Sequence, residues 1–295
     1  MTRLLVTGAG GMLARDLVTV LHTRPDLKVT AASRADLDIT DPAAVREAVA
    51  AHDIVINTAA WTNVDGAEAN EAAATAVNGD GVANLASACA ASGARLIQVS
   101  TDYVLAGDAQ SPYPEDAPTA PVNAYGRGKL VGEQAVAQLL PDNGYVVRTA
   151  WLYGAHGPNF VATMLRLAGQ REFINVVDDQ HGQPTWSYRL AERLVALAEA
   201  ALEGRAEPGI YHSTCAGQTT WYGLARATFT LAGLDPDRIR PTTSDQFPLP
   251  APRPAYSVLG HSRWAAAGLP SLPDWHTTLV DAFASPAPPA PWKVA

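Results

Sequence analysis

The chain has 295 residues, 47% of them hydrophobic and 17% charged, with a formal net charge of -8. That balance excludes a disordered chain and leaves room for one sizeable α/β core. The acidic charge argues against a nucleic-acid partner, which needs a basic footprint, and no apolar run approaches the roughly 20 residues of a membrane helix.

Cys89 and Cys215 stand far apart in no metal-ligand spacing, and the seven histidines form no His-x-x-x-His pair. Neither a disulfide scaffold nor a zinc mechanism is expected. Met1-Thr2-Arg3 runs straight into Leu4-Leu5-Val6-Thr7, a short apolar run that stops at glycines. It reads as a buried strand and not as a signal peptide, so a soluble, cytoplasmic protein is expected.

That first strand is followed by Gly8-Ala9-Gly10-Gly11-Met12-Leu13-Ala14 and a helical run to about His22. Glycines let the backbone turn sharply beside a pyrophosphate, and the helix start offers N–H groups and positive dipole. Gly8, Gly10, Gly11, Met12 and Leu13 are therefore candidate dinucleotide contacts, with Ala14 small enough for close helix–strand packing. Leu13 stands where Gly-x-Gly-x-x-Gly would have its third glycine, so a plain structural turn is the competing reading. The flanking strand and helix favour the dinucleotide.

The second strand, Val29–Ala32, ends at Ser33-Arg34 with no acid to accept from a ribose 2′-hydroxyl. A hydroxyl followed by a guanidinium suits a 2′-phosphate, which favours NADPH and leaves NADH open. A solvated loop arginine is the alternative. Asp38-Ile39 would lie near the adenine. Next come a helical segment at Ala43–Ala50, a strand at Ile54–Thr58, a helical segment at Ala72–Ala91 and a strand at Leu96–Ser100. This last strand delivers Thr101-Asp102-Tyr103 to its carboxyl end. A helix opening at Tyr125 continues as Lys129–Leu139, and a strand follows at Tyr145–Arg148.

Apolar strands alternating with helices imply a parallel sheet covered on both faces, a Rossmann-type doubly wound α/β fold, with ligands outside the carboxyl ends of the strands. After about residue 150 the alternation fades, and Phe247–Pro254 carries too many prolines for a regular element. The expected organisation is a dinucleotide-binding domain at 1–150, completed by parts of 178–220. A smaller interleaved substrate-binding lobe takes 151–177 and 221–285, and a Pro-rich tail takes 286–295.

Tyr125 and Lys129 are four apart, hence on one helical face. Ketone reduction needs a hydride on carbon and a proton on the developing alkoxide. An ammonium beside a phenol is expected to lower its ordinary pKa of about 10 and ease that transfer. The Thr101 hydroxyl would polarise the carbonyl. A lone Tyr-x-x-x-Lys pair is commonly a surface accident; its weight here comes from the glycine turn and the strand-end threonine. Trp151 suits a sugar face or simply a core position, and Arg253 suits a diphosphate or simply a turn. Asp178-Asp179 reads as a turn and not a metal site. Asn57 and Asn78 read as structural or water-holding residues near the cofactor.

Together these motifs resemble the extended short-chain dehydrogenase/reductases, and among them the dTDP-4-dehydrorhamnose reductase family. The resemblance spans nearly the whole chain, through Val6–Leu13, Asp36–Thr40, Val55–Ala60, Thr62–Asp65, Ser100–Val104, Tyr125–Lys129, Arg148–Gly154, Asn159-Phe160, Asp178–Thr185 and Arg253-Pro254. It implies NADPH-dependent reduction of the C4 ketone of dTDP-4-dehydro-L-rhamnose. Thr101, Tyr125 and Lys129 would be the catalytic triad, with Tyr125 the proton donor and Lys129 also holding the nicotinamide ribose. Ala59 and Ala60 would line the cofactor; Thr62, Val64, Asp102, Tyr103 and Trp151 would shape the sugar pocket. Leu105 stands where an aromatic is expected. Some relatives are dimers bridged by magnesium, for which Asp16 and Glu192 are the only carry-overs, so the oligomer (monomer or homodimer) and Mg2+ stay open. Reduction of another dTDP-4-keto-deoxysugar is the enzymatic alternative. A non-catalytic dinucleotide-binding regulatory subunit is the other.

Overall fold

The computed structural model describes residues 1–285; the Pro-rich tail expected at 286–295 lies outside them. Strands β1 (Thr2–Thr7), β2 (Leu27–Ala32), β3 (Ile54–Asn57), β4 (Arg95–Thr101), β5 (Gly144–Thr149) and an edge strand at Gly209–His212 form the main sheet. Their spatial order is β2-β1-β3-β4-β5-edge, and every pairing is parallel. The first nine α-helices in chain order are α1 (Met12–Leu21), α2 (Pro42–Ala50), α3 (Val64–Ala69), α4 (Glu71–Thr75), α5 (Gly81–Ser92), α6 (Ala124–Leu139), α7 (Phe160–Ala168), α8 (Ser187–Leu202) and α9 (Trp221–Leu231).

The period-two alternation of the strands divides the apolar side chains between two cores. Leu4, Val6, Ile54, Ile56, Ile97 and Val147 pack under α1 and α8. Leu5, Val55, Leu96 and Val146 pack under α2, α5 and α6 on the opposite face. The sheet is thus covered on both sides, as its near-continuous apolar strands require. The order in which strands are added reverses between β1 and β3, and the crevice at such a switch point receives ligands. Gly8 sits there at φ +72°, and a methyl group on it would lie 2.7 Å from Ala59 Cα. Only glycine accepts that combination of conformation and approach.

The single helix expected over Ala72–Ala91 is instead α4, a π-helical turn at Ala76–Asp80, and α5. The wide turn seats buried Asn78 against the Trp61 backbone, accepting from Trp61 N at 2.9 Å and donating to Trp61 O at 3.0 Å. Periodicity alone does not foresee such a bulge, because it leaves the apolar face nearly in phase.

Beyond β5 the chain forms three short strand pairings: Leu152–Tyr153 with Thr185–Trp186, Ile174–Val177 with Ile239–Thr242, and His181–Gly182 with Thr219–Thr220. Buried Phe229, Met164, Ile174 and Ile239 pack between them and helices α7 and α9. Phe247–Pro254 holds no regular element. Beneath the site lies a buried ion pair, Arg148 Nη2 to Glu133 Oε2 at 2.7 Å, with side chains 1% and 5% exposed. Glu133 also accepts from Ser100 Oγ at 2.6 Å, so α6, β4 and β5 are tied together.

Candidate active site

A cavity of about 1210 Å³ opens at the carboxyl ends of the strands. Gly8, Gly10, Gly11, Met12 and Leu13 line one end; Ser33, Arg34, Asp38 and Ile39 line its rim. Ala59, Ala60, Thr62 and Val64 follow, and Thr101, Asp102, Tyr103, Tyr125, Lys129 and Trp151 line the other end. Arg253 is not among the lining residues. Its guanidinium is held by Asp65 Oδ2 at 3.0 Å and by the Ala251 carbonyl at 2.8 Å. The acid on the first turn of α3 thus pairs with this guanidinium.

The glycine end fits a dinucleotide. Gly11 is the N-cap of α1 and supplies no side-chain cap, so the first amides of that helix keep their hydrogen-bonding capacity. A methyl group on Gly10 would meet nothing within 4 Å, so that backbone is open to a ligand. Asn57 holds the adjoining turn, accepting from Thr7 Oγ1 at 2.5 Å and from Ala59 N at 3.1 Å while donating to Gln98 Oε1 at 2.6 Å.

At the rim the Ser33 amide and hydroxyl both donate to Asp36 Oδ2, at 2.9 and 2.6 Å. The Ser33 hydroxyl expected for a 2′-phosphate is therefore engaged. Arg34 is 83% exposed and only loosely paired, Nε to Asp38 Oδ2 at 3.4 Å. Asp36, unassigned from the sequence, had a usable signal: a serine three residues before an aspartate in a turn-forming stretch.

At the chemical end, Thr101 Oγ1 donates to Asp102 Oδ1 at 2.8 Å and accepts from Tyr103 N at 3.1 Å. Asn123 caps α6, accepting from Gly126 N at 2.8 Å, and places Tyr125 in the first turn. A methyl group on Gly126 would lie 2.2 Å from Tyr103 O, and one on Gly132 would lie 2.3 Å from Asn78 O. Helix α6 is thus pressed against both the strand-end turn and the π-helical turn. The Tyr103 and Tyr125 rings meet edge to face, centroids 6.0 Å apart.

The electrostatics correct one expectation. Burial, with the charge of Asp102 as a second cause, raises the Tyr125 phenol above its ordinary range, and the Thr101 hydroxyl opposes this. Lys129 does not lower it here. Its ammonium donates to the Val99 carbonyl at 2.7 Å and is itself brought down to about 8 by burial, against the charge of Glu133. Tyr125 is therefore held protonated, the form that gives a proton to an alkoxide.

Trp151 is the one non-glycine with positive φ among the described residues, at 47°. It stacks on Trp221 of α9, centroids 3.6 Å apart and planes 8° from parallel. A methyl group on Gly182 would lie 2.4 Å from its Cε2, so the backbone packs on it as well. Trp221 also lines the cavity; nothing in its sequence neighbourhood marked it. His156 is a further unanticipated lining residue, its Nε2 3.8 Å from Asp16 Oδ1. Asp16 accepts from Ser187 Oγ at 2.5 Å, and burial raises its carboxyl. Glu192 is paired with Arg189 at 2.9 Å, and no cluster of three or more His, Cys, Asp or Glu able to hold a metal forms among the described residues. Asp178 accepts from Thr220 Oγ1 at 2.5 Å, and Asp179 accepts from Ser244 N at 2.7 Å. Leu105 is buried in an apolar cluster with Tyr113 and Leu259.

The model of the family described as RmlD substrate binding domain matches residues 1–286. The dTDP-4-dehydrorhamnose reductase of Streptomyces griseus is 58% identical over 283 residues, covering 95% of this chain and 93% of that protein. The chain belongs to the dTDP-4-dehydrorhamnose reductase family. Membership makes it an oxidoreductase of the short-chain dehydrogenase/reductase type, with the Rossmann-type parallel sheet described above. Another relative of this reductase family member, the dTDP-4-keto-6-deoxy-D-glucose reductase of Streptomyces niveus, is 51% identical and covers 95% of this chain and 96% of its own. The crystal structure of the Bacillus anthracis dTDP-4-dehydrorhamnose reductase in complex with NADP superposes with a TM-score of 0.88 at 36% identity, covering 94% of this chain and 97% of that one. No helix among the described residues is long and apolar enough to cross a membrane.

Proposed function

We propose that this chain reduces the C4 ketone of dTDP-4-dehydro-L-rhamnose to dTDP-L-rhamnose with NADPH. The observation that carries this reading is a half-buried Tyr125 lining the same cavity as Thr101 and Lys129, with its phenol raised by burial. A bound reduced nicotinamide supplies the hydride. Tyr125 gives its hydroxyl proton to the developing C4 alkoxide, and Lys129, held through Val99 O, orients the nucleotide ribose and balances the tyrosinate once it forms. Thr101 hydrogen-bonds the same oxygen. Thr62, Val64, Asp102, Tyr103 and the Trp151–Trp221 stack enclose the sugar. Gly8, Gly10, Gly11, Met12 and Leu13 receive the pyrophosphate, Asp38 and Ile39 flank the adenine, and Ala59 and Ala60 flank the ribose–nicotinamide half. Residues 1–150 with parts of 178–220 serve the nucleotide, and 151–177 with 221–285 serve the sugar.

Purified protein is expected to oxidise NADPH only when dTDP-4-dehydro-L-rhamnose is supplied, followed by loss of nucleotide absorbance. Faster turnover of another dTDP-4-keto-deoxysugar would move the assignment to the second reading, which the Streptomyces niveus relative favours. No turnover of any such sugar would leave a regulatory subunit.

Because Ser33 is engaged by Asp36, Arg34 is left as the cation for a 2′-phosphate. Arg34→Ala is expected to weaken NADPH roughly ten- to a hundredfold, the worth of a charge-assisted hydrogen bond, and to leave NADH nearly unchanged. Fluorescence titration of both nucleotides checks this; equal losses would remove Arg34 from the specificity argument.

A further inference from the structure

Asp102 lies within the cavity wall, 3% exposed. Its Oδ2 is buried without a hydrogen-bond partner of good geometry, and its Oδ1 receives the Thr101 proton at 2.8 Å. A hydroxyl carries one proton and two lone pairs, and one lone pair of Thr101 Oγ1 already accepts from Tyr103 N at 3.1 Å. While Asp102 is ionised, the proton of Thr101 is committed to the carboxylate. Only a lone pair then remains, shared between the Tyr125 hydroxyl and the cavity, and a lone pair repels a carbonyl oxygen. When Asp102 is a carboxylic acid, it donates to Thr101 instead. Both lone pairs are then filled, and the Thr101 proton turns into the cavity.

We propose that Asp102 is a positioning residue whose proton sets the direction of the Thr101 hydroxyl, freeing it to donate to the C4 oxygen of the substrate. The proposal rests on the reductase reading for the identity of that oxygen. Asp102 transfers nothing: one hydride on C4 and the Tyr125 proton on oxygen balance the reduction, and Asp102 keeps its own proton throughout.

The surroundings favour the acid form. Burial pushes the Asp102 carboxyl up to about 6, against hydrogen bonds from Ser257, from Thr101 and from the amides of its own turn, and no cation is among the groups that act on it. The groups facing it are the phenols of Tyr103 and Tyr125, both raised by burial first and by its charge second, and the Ser257 hydroxyl from the C-terminal segment. The Arg253–Asp65 pair acts on Tyr103, and Lys129 donates to Val99 O. A sugar that displaces cavity water removes more solvation from the carboxylate and raises it further. The sign follows: the productive arrangement is present below the transition and is lost as pH rises through it.

Two measurements test this. Difference infrared spectroscopy on the NADPH-loaded protein, without sugar, is expected to show a carboxylic-acid stretch that titrates near pH 6 and is missing from Asp102→Asn. In turnover of dTDP-4-dehydro-L-rhamnose, wild-type kcat is expected to fall roughly tenfold per pH unit above its transition. Asp102→Asn carries an amide that donates to Thr101 at every pH, so it should show no such step and exceed wild type about fivefold or more at about pH 8. Thr101→Val, without a hydroxyl to turn, should be slow and should also lack the step. A flat wild-type profile, an Asp102→Asn slower than wild type throughout, or a step that survives in Thr101→Val overturns the proposal. Thr101→Val decides the matter if Asp102→Asn does not fold. A titrating Asp102 band with no turnover of this sugar upholds the proton on Asp102 and defeats the substrate reading instead.

Discussion

Tyr125→Phe is expected to lower kcat by roughly 10²–10⁴-fold, the usual worth of a positioned general acid, with the loss falling on kcat and not on KM for the sugar. The reason is local. Burial raises the phenol above its ordinary range and holds it protonated, so the cavity wall presents an acid where the proposed alkoxide would form. Phenylalanine keeps the ring, and with it the edge-to-face contact to Tyr103, but has no proton to give. Single-turnover nucleotide oxidation in wild type and variant checks this. A variant within tenfold of wild type would mean that the proton comes from elsewhere, and the mechanism proposed for Tyr125 would have to be abandoned.

The second large effect concerns stability. Arg148→Met is expected to cost about 3–5 kcal/mol, because it leaves Glu133 buried beside β5 without its counter-charge. Ser100 Oγ remains as a donor to Glu133, but one hydroxyl does not replace a guanidinium that touches both carboxylate oxygens. The double variant Arg148→Met, Glu133→Leu removes both charges and should recover most of the loss. Urea midpoints for the two proteins measure the difference. A single variant within about 1 kcal/mol of wild type would contradict the reasoning. The double variant carries a functional consequence as well. Glu133 opposes the burial that brings Lys129 down to about 8, so without it the ammonium falls further and less of it is charged at neutral pH.

The sequence was most informative where the chemistry depends on short stretches of chain. The strand–glycine–helix unit at Leu4–Leu21, the strand-end Thr101 and the four-residue spacing of Tyr125 and Lys129 are local patterns, and each contributes residues to the cavity wall. Burial decides what local pattern does not. A pair of titratable groups at helical spacing was expected to lower the phenol, yet the result depends on the solvent removed around both and on the neighbouring carboxylate. Long-range partners were equally invisible. Trp221 reaches Trp151 from 70 residues along the chain, and Asp65 meets Arg253 across 188. The π-helical turn at Ala76–Asp80 escaped because one extra residue barely disturbs apolar periodicity.

Helix α6, with backbone oxygens pressed against Gly126 and Gly132, bears on how such a protein can diversify. No side chain can be added at either point without shifting Tyr103 or Asn78, so substitution on that face is paid for in the alignment of the reacting groups. Trp221, by contrast, reaches the cavity from a helix separate from the main sheet. Under the proposed division of the chain, a substitution around Trp221 would change the pocket while leaving Thr101, Tyr125 and Lys129 in place. Recognition can drift over evolutionary time while the reaction stays fixed.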